Sequence, residues 1–217
     1  MGVTVLITGF GPFPGAAINP TGPLAQRLAK LRRPALADVR LIGHAFRTSY
    51  AAVDRDLPAL IKENKPDALL MFGLATRTPH IRIETRARNA IALLAGADRA
   101  APKQRAIALN GASSLALPFP AQRLLAAART ARGPAKLSRD AGSYLCNYLC
   151  WRAVEICGAV GPSLAAFIHV PKLRGASRRR GKRRKLAQAD LVRTGSALLV
   201  ALTAAARALP NVNAAKN

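Results

Sequence analysis

The sequence is short of cysteine, of acidic residues and of long hydrophobic runs, and each shortage excludes a class of protein. Three cysteines in 217 residues are too few for a disulfide framework and indicate a reducing compartment. The longest apolar stretch, residues 195–205, is too short to cross a bilayer. The chain begins with a strand-like run and lacks a basic leading segment, so we expect no signal peptide. These features favour a soluble, cytoplasmic protein.

The shortage of acidic residues leaves a strongly basic chain. Ten Asp and Glu residues face 34 Lys and Arg residues, and the formal net charge is +24. Nine of the basic residues lie between Lys172 and Lys185, where no acidic residue occurs. Such a charge attracts nucleic acid or anionic lipid non-specifically at low salt. The basic run contains no aromatic residue for base stacking, which weakens a dedicated nucleic-acid role and leaves a solvated basic loop as the alternative.

Strand-like and helix-like segments alternate along the chain. Half of the residues are apolar, enough for a large core. The alternation predicts a three-layer α/β/α sandwich with a mostly parallel open sheet. The predicted strands cover residues 3–8, 38–44, 67–72, 81–90, 135–138 and 163–169. The predicted helices cover residues 20–31, 49–62, 120–132, 144–157 and 187–209. We expect a single domain, residues 1–217, with the basic loop as an excursion at about 172–186.

Glycines and aromatic residues follow the first predicted strand, in residues 9–15. Their G-x-G-x-x-x-G spacing is one residue too long for the dinucleotide fingerprint. Pro12 and Pro14 also lack the N–H groups that would bind a phosphate. Phe10 and Phe13 could hold a small, flat, largely apolar ligand, or they could cap the hydrophobic core. The loop by itself leaves both interpretations open.

Cys146 lies in the first turn of the predicted helix 144–157. Unpaired N–H groups and the helix dipole at that end favour a thiolate and could receive an oxyanion. Cys146, Cys150 and Cys157 share one helical face, so core packing is the alternative interpretation. The three thiols cannot bind one metal ion, because Cys146 and Cys157 are ~16 Å apart at about 1.5 Å of rise per residue.

A base for the thiol is expected at the carboxyl end of a strand, where open α/β sheets bind their ligands. His169 ends the predicted strand 163–169 and is the first candidate. His44 also ends a strand and is the rival base. His80 follows Thr-Pro in a loop and is expected to be solvated.

A carboxylate that could orient the imidazole is found by elimination among the ten acidic residues. The others lie on solvent-facing helix surfaces, at strand starts or in loops, and Asp140 could cap the cysteine helix. Glu84 remains, flanked by three arginines: Arg82, Arg86 and Arg88. The alternative interpretation of Glu84 is a surface ion pair of little energetic weight.

The chain resembles the pyroglutamyl peptidase I family of cysteine peptidases in four motifs, which occur in the family's order. The opening L-I-T-G-F-G-P-F-P-G with N-P at 19–20 is similar to T-G-F-x-P-F-G-G…N-P. The others are S-R-D-A-G-S-Y-L-C-N at 138–147, F-I-H-V-P at 167–171, and E-T-R-A-R-N at 84–89, which is similar to E-R-x-A-x-N. Four motifs in order are a specific signal, whereas one alone would not be.

The resemblance implies an exopeptidase that removes an N-terminal pyroglutamate from peptides. It implies that Cys146 is the nucleophile, His169 the general base and then acid, and Glu84 the orienting carboxylate. It also implies that Phe10 and Phe13 flank the lactam ring, in a substrate-binding loop that includes Asn19. The family fold is an open α/β/α sandwich that often assembles as a tetramer, and it uses no metal or cofactor.

Two departures from the family keep other functions open. Leu74 stands where family members often carry Gln in a loop that shapes the pocket, which favours a related cysteine amidase with altered acyl specificity. Residues 95–117, which carry pocket and assembly contacts in the family, match it poorly. The charge of +24 motivates the alternative of another class, a non-enzymatic, basic nucleic-acid-binding protein.

Overall fold

The computed structural model describes residues 2–13, 15–159, 161–173 and 186–209. Its strands are β1 (Thr4–Phe10), β2 (Arg40–Phe46), β3 (Ala68–Ala75), β4 (Ile81–Glu84), β5 (Arg86–Arg88), β6 (Ser114–Ala116), β7 (Ala135–Ser138) and β8 (Leu164–Pro171). Its helices are α1 (Thr21–Ala29), α2 (Tyr50–Asn64), α3 (Ala121–Thr130), α4 (Leu145–Ala159) and α5 (Gln188–Arg207), with a 3₁₀ turn at Pro34–Leu36. All five predicted helices are present within one or two residues of their expected ends.

Six strands form the main sheet, in the order β2-β1-β3-β8-β4-β7. The strands β1, β2, β3 and β8 run parallel. β4 runs antiparallel to β8 and parallel to β7. The prediction of a mostly parallel open sheet is therefore confirmed. Every residue of β8 is buried, as is usual for a strand covered on both faces.

Helices cover both faces of this sheet, which confirms the three-layer sandwich. Side chains alternate between the faces along each strand, so Val5 and Ile7 of β1 join one core cluster and Leu6 joins the other. The first cluster includes residues of α1, α3 and α5. The second includes residues of α2 and α4, and it is the one that lies under the predicted nucleophile.

The helix α5 packs against α1 and α3. Among the described helices it alone is long and apolar enough to cross a membrane, and 61% of its most apolar window is buried inside the protein.

The predicted strand 81–90 is interrupted at Thr85. The backbone N–H and the hydroxyl of Thr85 both donate to the Ser138 carbonyl, at 2.8 and 3.0 Å, while its own carbonyl accepts from Leu117 N. The chain therefore leaves the main sheet after β4 and continues as β5, which pairs with β6 in a small second sheet. The sequence did not predict β6. Most of the predicted basic excursion, residues 174–185, lies outside the described residues.

Candidate active site

The carboxyl ends of β3 and β8 and the start of α4 meet at one edge of the sheet. Gly73 of β3 is the register partner of His169 on β8. Cys146 is the second residue of α4, and the first helical hydrogen bond runs from Tyr148 N to the Tyr144 carbonyl. Cys146 thus occupies the first turn, where the backbone N–H groups have no partner within the helix.

The sulfur of Cys146 lies over Gly73. A Cβ atom on Gly73 would lie 2.7 Å from the Cys146 Sγ and 2.6 Å from the Phe167 Cζ. Both distances are shorter than any real Cβ contact, so only glycine leaves room for the sulfur here. The side chain of Cys146 also lies close enough to His169 for its charge to raise the pKa of the imidazole. A thiol, an imidazole and the start of a helix therefore lie side by side.

Glu84 completes the group on the other side of the imidazole. Its Oε1 lies 2.8 Å from His169 Nδ1, and its side chain is fully buried. Burial alone would raise the pKa of Glu84, but the hydrogen bond and charge of His169, followed by Ser138 and Arg82, hold it below its ordinary value. Glu84 is thus an ionised acceptor that fixes the Nδ1 proton and leaves Nε2 directed away from it.

The electrostatic state of His169 follows from these two neighbours. Burial of the ring opposes its charged form, but the charge and hydrogen bond of Cys146, together with those of Glu84, raise the pKa of His169 to about 9. His169 is 5% exposed, and its ring meets Phe167 edge to face at 5.0 Å. A protonated imidazole is therefore favoured at this position, next to the start of α4 and the Cys146 side chain.

The ion pair of Glu84 exists but lies inside the protein, which corrects the interpretation as a surface pair. Arg82 Nη2 lies 2.9 Å from Glu84 Oε1, and the Arg82 side chain is 21% exposed. The antiparallel direction of β4 explains this position, since it sets Arg82 opposite His169 and Glu84 opposite Phe167. The carboxylate therefore approaches the imidazole from the neighbouring strand of the sheet.

The rival groups lie elsewhere. His44 is on β2, which β1 and β3 separate from β8, and its Nε2 lies 3.6 Å from Asp56. Burial of the His44 ring, opposed by Asp56, lowers its pKa. His80 is half-buried rather than fully solvated. Asp140 does not cap α4, because its Oδ1 accepts from Gly142 N before the helix begins and pairs with Arg88.

The loop after β1 lies at the same edge of the sheet. Phe10 is 2% exposed and packs against Phe46, with ring centroids 5.9 Å apart. Phe13 is half-buried and bridges to Ala16. The amide of Asn19 holds the loop: its Nδ2 donates to the Gly11 carbonyl at 2.9 Å, and its Oδ1 accepts from the N–H and hydroxyl of Thr21. Phe10 joins the core cluster against which Cys146 packs.

Two side chains that support the start of α4, next to Cys146, were not recognised from the sequence. Asn147 is fully buried; its Oδ1 accepts from Arg88 N, and its Nδ2 donates to the carbonyls of Arg88 and Ala90, all at 2.8 Å. Tyr144, just before α4, donates to the Ala95 carbonyl at 2.8 Å. The poorly matching loop after β5 therefore borders the start of α4. Asn147 follows Cys146 directly within a motif, which is the signal that could have revealed it.

The other two cysteines have the environment of core residues. Burial raises the pKa of Cys150 well above its ordinary value and raises that of Cys157 to about 12. All three cysteines are free. Within the part of the chain that the structure describes, no three His, Cys, Asp or Glu side chains are grouped to hold a metal ion.

Comparison with known proteins gives one consistent result. The family model for pyroglutamyl peptidase matches residues 3–206. The pyrrolidone-carboxylate peptidase of Thermococcus onnurineus is 32% identical over 169 residues, which cover 77% of this chain and 82% of that protein. The enzyme of the same name from Pyrococcus furiosus is 30% identical and covers 77% and 80%.

Solved structures of proteins with the same family name have a similar fold. A mutant pyrrolidone carboxyl peptidase from Pyrococcus furiosus superposes with a TM-score of 0.82 at 25% identity, covering 94% of this chain and 99% of that one. Pyroglutamyl peptidase I from Bacillus amyloliquefaciens gives a TM-score of 0.81 at 22% identity, covering 93% and 97%, and this likeness speaks for the fold alone.

Proposed function

We propose that this chain, which belongs to the pyroglutamyl peptidase family, removes N-terminal pyroglutamate from peptides with Cys146, His169 and Glu84 as its reacting and orienting groups. The observation that carries the assignment is the chain of contacts from the Cys146 thiol through His169 to Glu84. A cysteine nucleophile needs a base at hydrogen-bonding distance and a third group that orients the base. The three residues fit these roles.

In the first half of the reaction, the Cys146 thiolate attacks the carbonyl carbon that links pyroglutamate to the next residue. The free N–H groups at the start of α4 receive the negative oxygen of the tetrahedral intermediate. His169, protonated through its raised pKa of about 9, gives its Nε2 proton to the leaving amine. The peptide leaves with a free amino terminus, and the pyroglutamyl group remains as a thioester on Cys146.

In the second half, neutral His169 takes a proton from water, and the resulting hydroxide attacks the thioester. Glu84 keeps the other ring proton on Nδ1, so Nε2 is the basic atom. The thiolate leaves, pyroglutamate is released, and the ion pair of Cys146 and His169 forms again. No metal ion or cofactor takes part in these steps.

The loop after β1 supports recognition of the lactam. A pyroglutamyl group has no charged amine, so an apolar slot can bury it with few polar partners. Phe13, half-buried at the sheet edge, is the side chain that we propose to contact the ring. Phe10 packs behind this slot as part of the core. Asn19 stabilises the loop through its hydrogen bonds to Gly11 and Thr21.

Thiol labelling with iodoacetamide at neutral pH, followed by peptide mapping, tests the nucleophile. We expect Cys146 to react much faster than Cys150 and Cys157, whose thiols are kept protonated by burial, and we expect a pyroglutamyl aldehyde to protect it. Cys146→Ser abolishes cleavage of pyroglutamyl-naphthylamide, whereas Cys157→Ser, the matched control, retains it. Equal labelling of all three thiols would falsify the assignment.

A related amidase activity is the second candidate, and Leu74 favours it. Leu74 follows Gly73 on β3 and is half-buried at the same edge of the sheet, where an apolar side chain offers a substrate no hydrogen bond. Pyroglutamyl- and prolyl-naphthylamide separate the two candidates, because a pocket with polar groups for the lactam rejects proline. Comparable kcat/KM values for both substrates would favour the amidase.

We also propose an oligomeric state and a cellular location for this protein. Four exposed large apolar side chains lie in the loops after β1 and β5: Ile18, Leu93, Leu94 and Leu109. Exposed apolar side chains of this size favour burial between copies of the chain, so we propose a dimer or tetramer, which light scattering can measure. The three free cysteines favour a cytoplasmic location.

A further inference from the structure

We propose that Arg82 is a positioning residue for the reaction: it anchors the Glu84 carboxylate and, by its charge, allows His169 to give up its proton once Cys146 is acylated. This inference rests on the proposed function. It concerns a side chain that touches neither the sulfur nor the substrate and that acts through Glu84.

Arg82 reaches Glu84 because of the strand pairing. Arg82 and Glu84 are two residues apart on β4, so their side chains leave the same face of the sheet. On one side of β4, Arg82 is the register partner of His169. On the other side, Glu84 is the register partner of Ser138. The arginine, the carboxylate and the imidazole therefore occupy one face of two neighbouring strands, β4 and β8.

The guanidinium of Arg82 is held at several points. Its Nη2 lies 2.9 Å from Glu84 Oε1, the same oxygen that lies 2.8 Å from His169 Nδ1. Its Nε donates to the Ser138 hydroxyl at 3.2 Å, and its Nη2 also donates to the Asp140 carbonyl. A guanidinium fixed in this way keeps Glu84 Oε1 directed at the imidazole.

The charge of Arg82 matters most after the first half-reaction. In the proposed mechanism the resting enzyme carries a negative charge on Cys146, and this charge raises the pKa of His169. Acylation removes that negative charge, so Glu84 alone then favours a protonated ring. Arg82 opposes this effect, because a cation beside the carboxylate disfavours a second positive charge on the imidazole. His169 can then lose its proton at a lower pH than it would without Arg82, which leaves the ring neutral and able to activate water.

The other titratable groups around the pair do not replace Arg82. Cys150 of α4 faces Glu84 but is fully buried with a raised pKa, so it stays neutral. The Asp140 carboxylate pairs with Arg88. Lys136, the register partner of Arg82 on β7, is exposed. Among the described residues, Arg82 is the formal cation, other than His169, that lies at hydrogen-bonding distance from Glu84.

Alkylation provides a stable mimic of the acylated state, because carbamidomethyl-Cys146 carries no negative charge. We would label Cys146 with iodoacetamide and follow the titration of His169 by NMR in wild type, Arg82→Gln, Arg82→Lys and Arg86→Gln. Arg86 is the matched control, since it donates to the Arg139 carbonyl and its loss removes one positive charge from the next strand.

We expect Arg82→Gln to raise the midpoint of the His169 titration by about one pH unit or more. Arg82→Lys, which keeps the charge, and Arg86→Gln should stay near wild type. The acid limb of kcat for pyroglutamyl-naphthylamide should move upward in parallel in Arg82→Gln. This direction follows because loss of a nearby cation stabilises the protonated pair.

An unchanged His169 titration in Arg82→Gln overturns the inference, and so does a shift of equal size in Arg86→Gln. If Arg82→Gln does not fold, Arg82→Met removes the charge with a side chain of similar length and must give the same upward shift; an unchanged titration in Arg82→Met then overturns the inference. If the wild-type protein does not cleave the pyroglutamyl substrate, the proposed function is wrong. The NMR titration would still test the electrostatic role of Arg82 in that case.

Discussion

Gly73 is the residue at which the absence of a side chain matters most. The Cys146 sulfur and the Phe167 ring both lie where its Cβ would be. A Gly at the end of a buried strand suggests only a turn when the sequence is considered alone. In the folded protein it creates the space in which the thiol meets the imidazole.

We expect Gly73→Ala to lower kcat by ~10²-fold or more, because a displacement of about 1 Å at a reacting atom has an effect of that size. Gly43→Ala is the matched control: its Cβ would lie 2.8 Å from the Ala29 Cβ, a similar clash between β2 and α1. The control should lower the melting temperature but retain activity per folded molecule. A fully active Gly73→Ala enzyme would show that the sulfur does not depend on this space.

At the scale of elements, the start of α4 and the strand β5 are joined through one side chain. Asn147 is the third residue of α4 and bonds three backbone groups of β5 and the residues that follow it. Asn89, next to that contact, bonds the backbone of Ile107 and Ala108 in the following loop. The two asparagines connect α4, which carries Cys146, to the irregular segment beside it.

We expect Asn147→Ala to destabilise the protein by ~2 kcal/mol or more, because it leaves buried backbone groups without partners. Gln26→Ala, which removes one exposed hydrogen bond of 3.2 Å, should cost less than about 0.5 kcal/mol. Urea unfolding measures both values. Equal stabilities of the two variants would argue against the role of Asn147 in holding the start of α4 to β5.

On the scale of the whole molecule, the net charge of +24 is a property that the peptidase chemistry does not use. The candidate site depends on one buried carboxylate and its immediate neighbours, and exposed charges at a distance are screened by salt. The charge therefore bears on what the molecule attracts and not on how it cleaves. The run between Lys172 and Lys185, mostly outside the described residues, is the densest part of it.

We predict weak binding to single-stranded RNA that falls at least ~10-fold between about 50 and 200 mM salt, since phosphate contacts release counterions. Deletion of residues 172–185 should reduce the slope of this salt dependence. Fluorescence anisotropy over a salt series measures both. Tight binding that persists at high salt would instead support the nucleic-acid-binding alternative.

Much of the fold could be predicted because local sequence patterns indicate its helices and strands. The alternation of apolar runs with helical periodicity located the helices and the main strands, and the position of Cys146 at a helix start followed from the same patterns. The position of Glu84 was harder to predict. Elimination selected it as the orienting carboxylate, but its arginine neighbours suggested a surface ion pair. The antiparallel insertion of β4 next to β8, a pairing between residues 85 apart, is what buries it.

Local sequence patterns were enough to predict the layers of the fold, the helix that presents the thiol and, through four motifs, the family. Which groups meet depends on the folded chain: Gly73 makes room for the sulfur, Arg82 and His169 share one oxygen of Glu84, and Asn147 holds the start of α4. The reason is physical. Periodicity and helix-end chemistry act between near neighbours in the chain, whereas these contacts depend on strand direction and register, which long-range packing fixes.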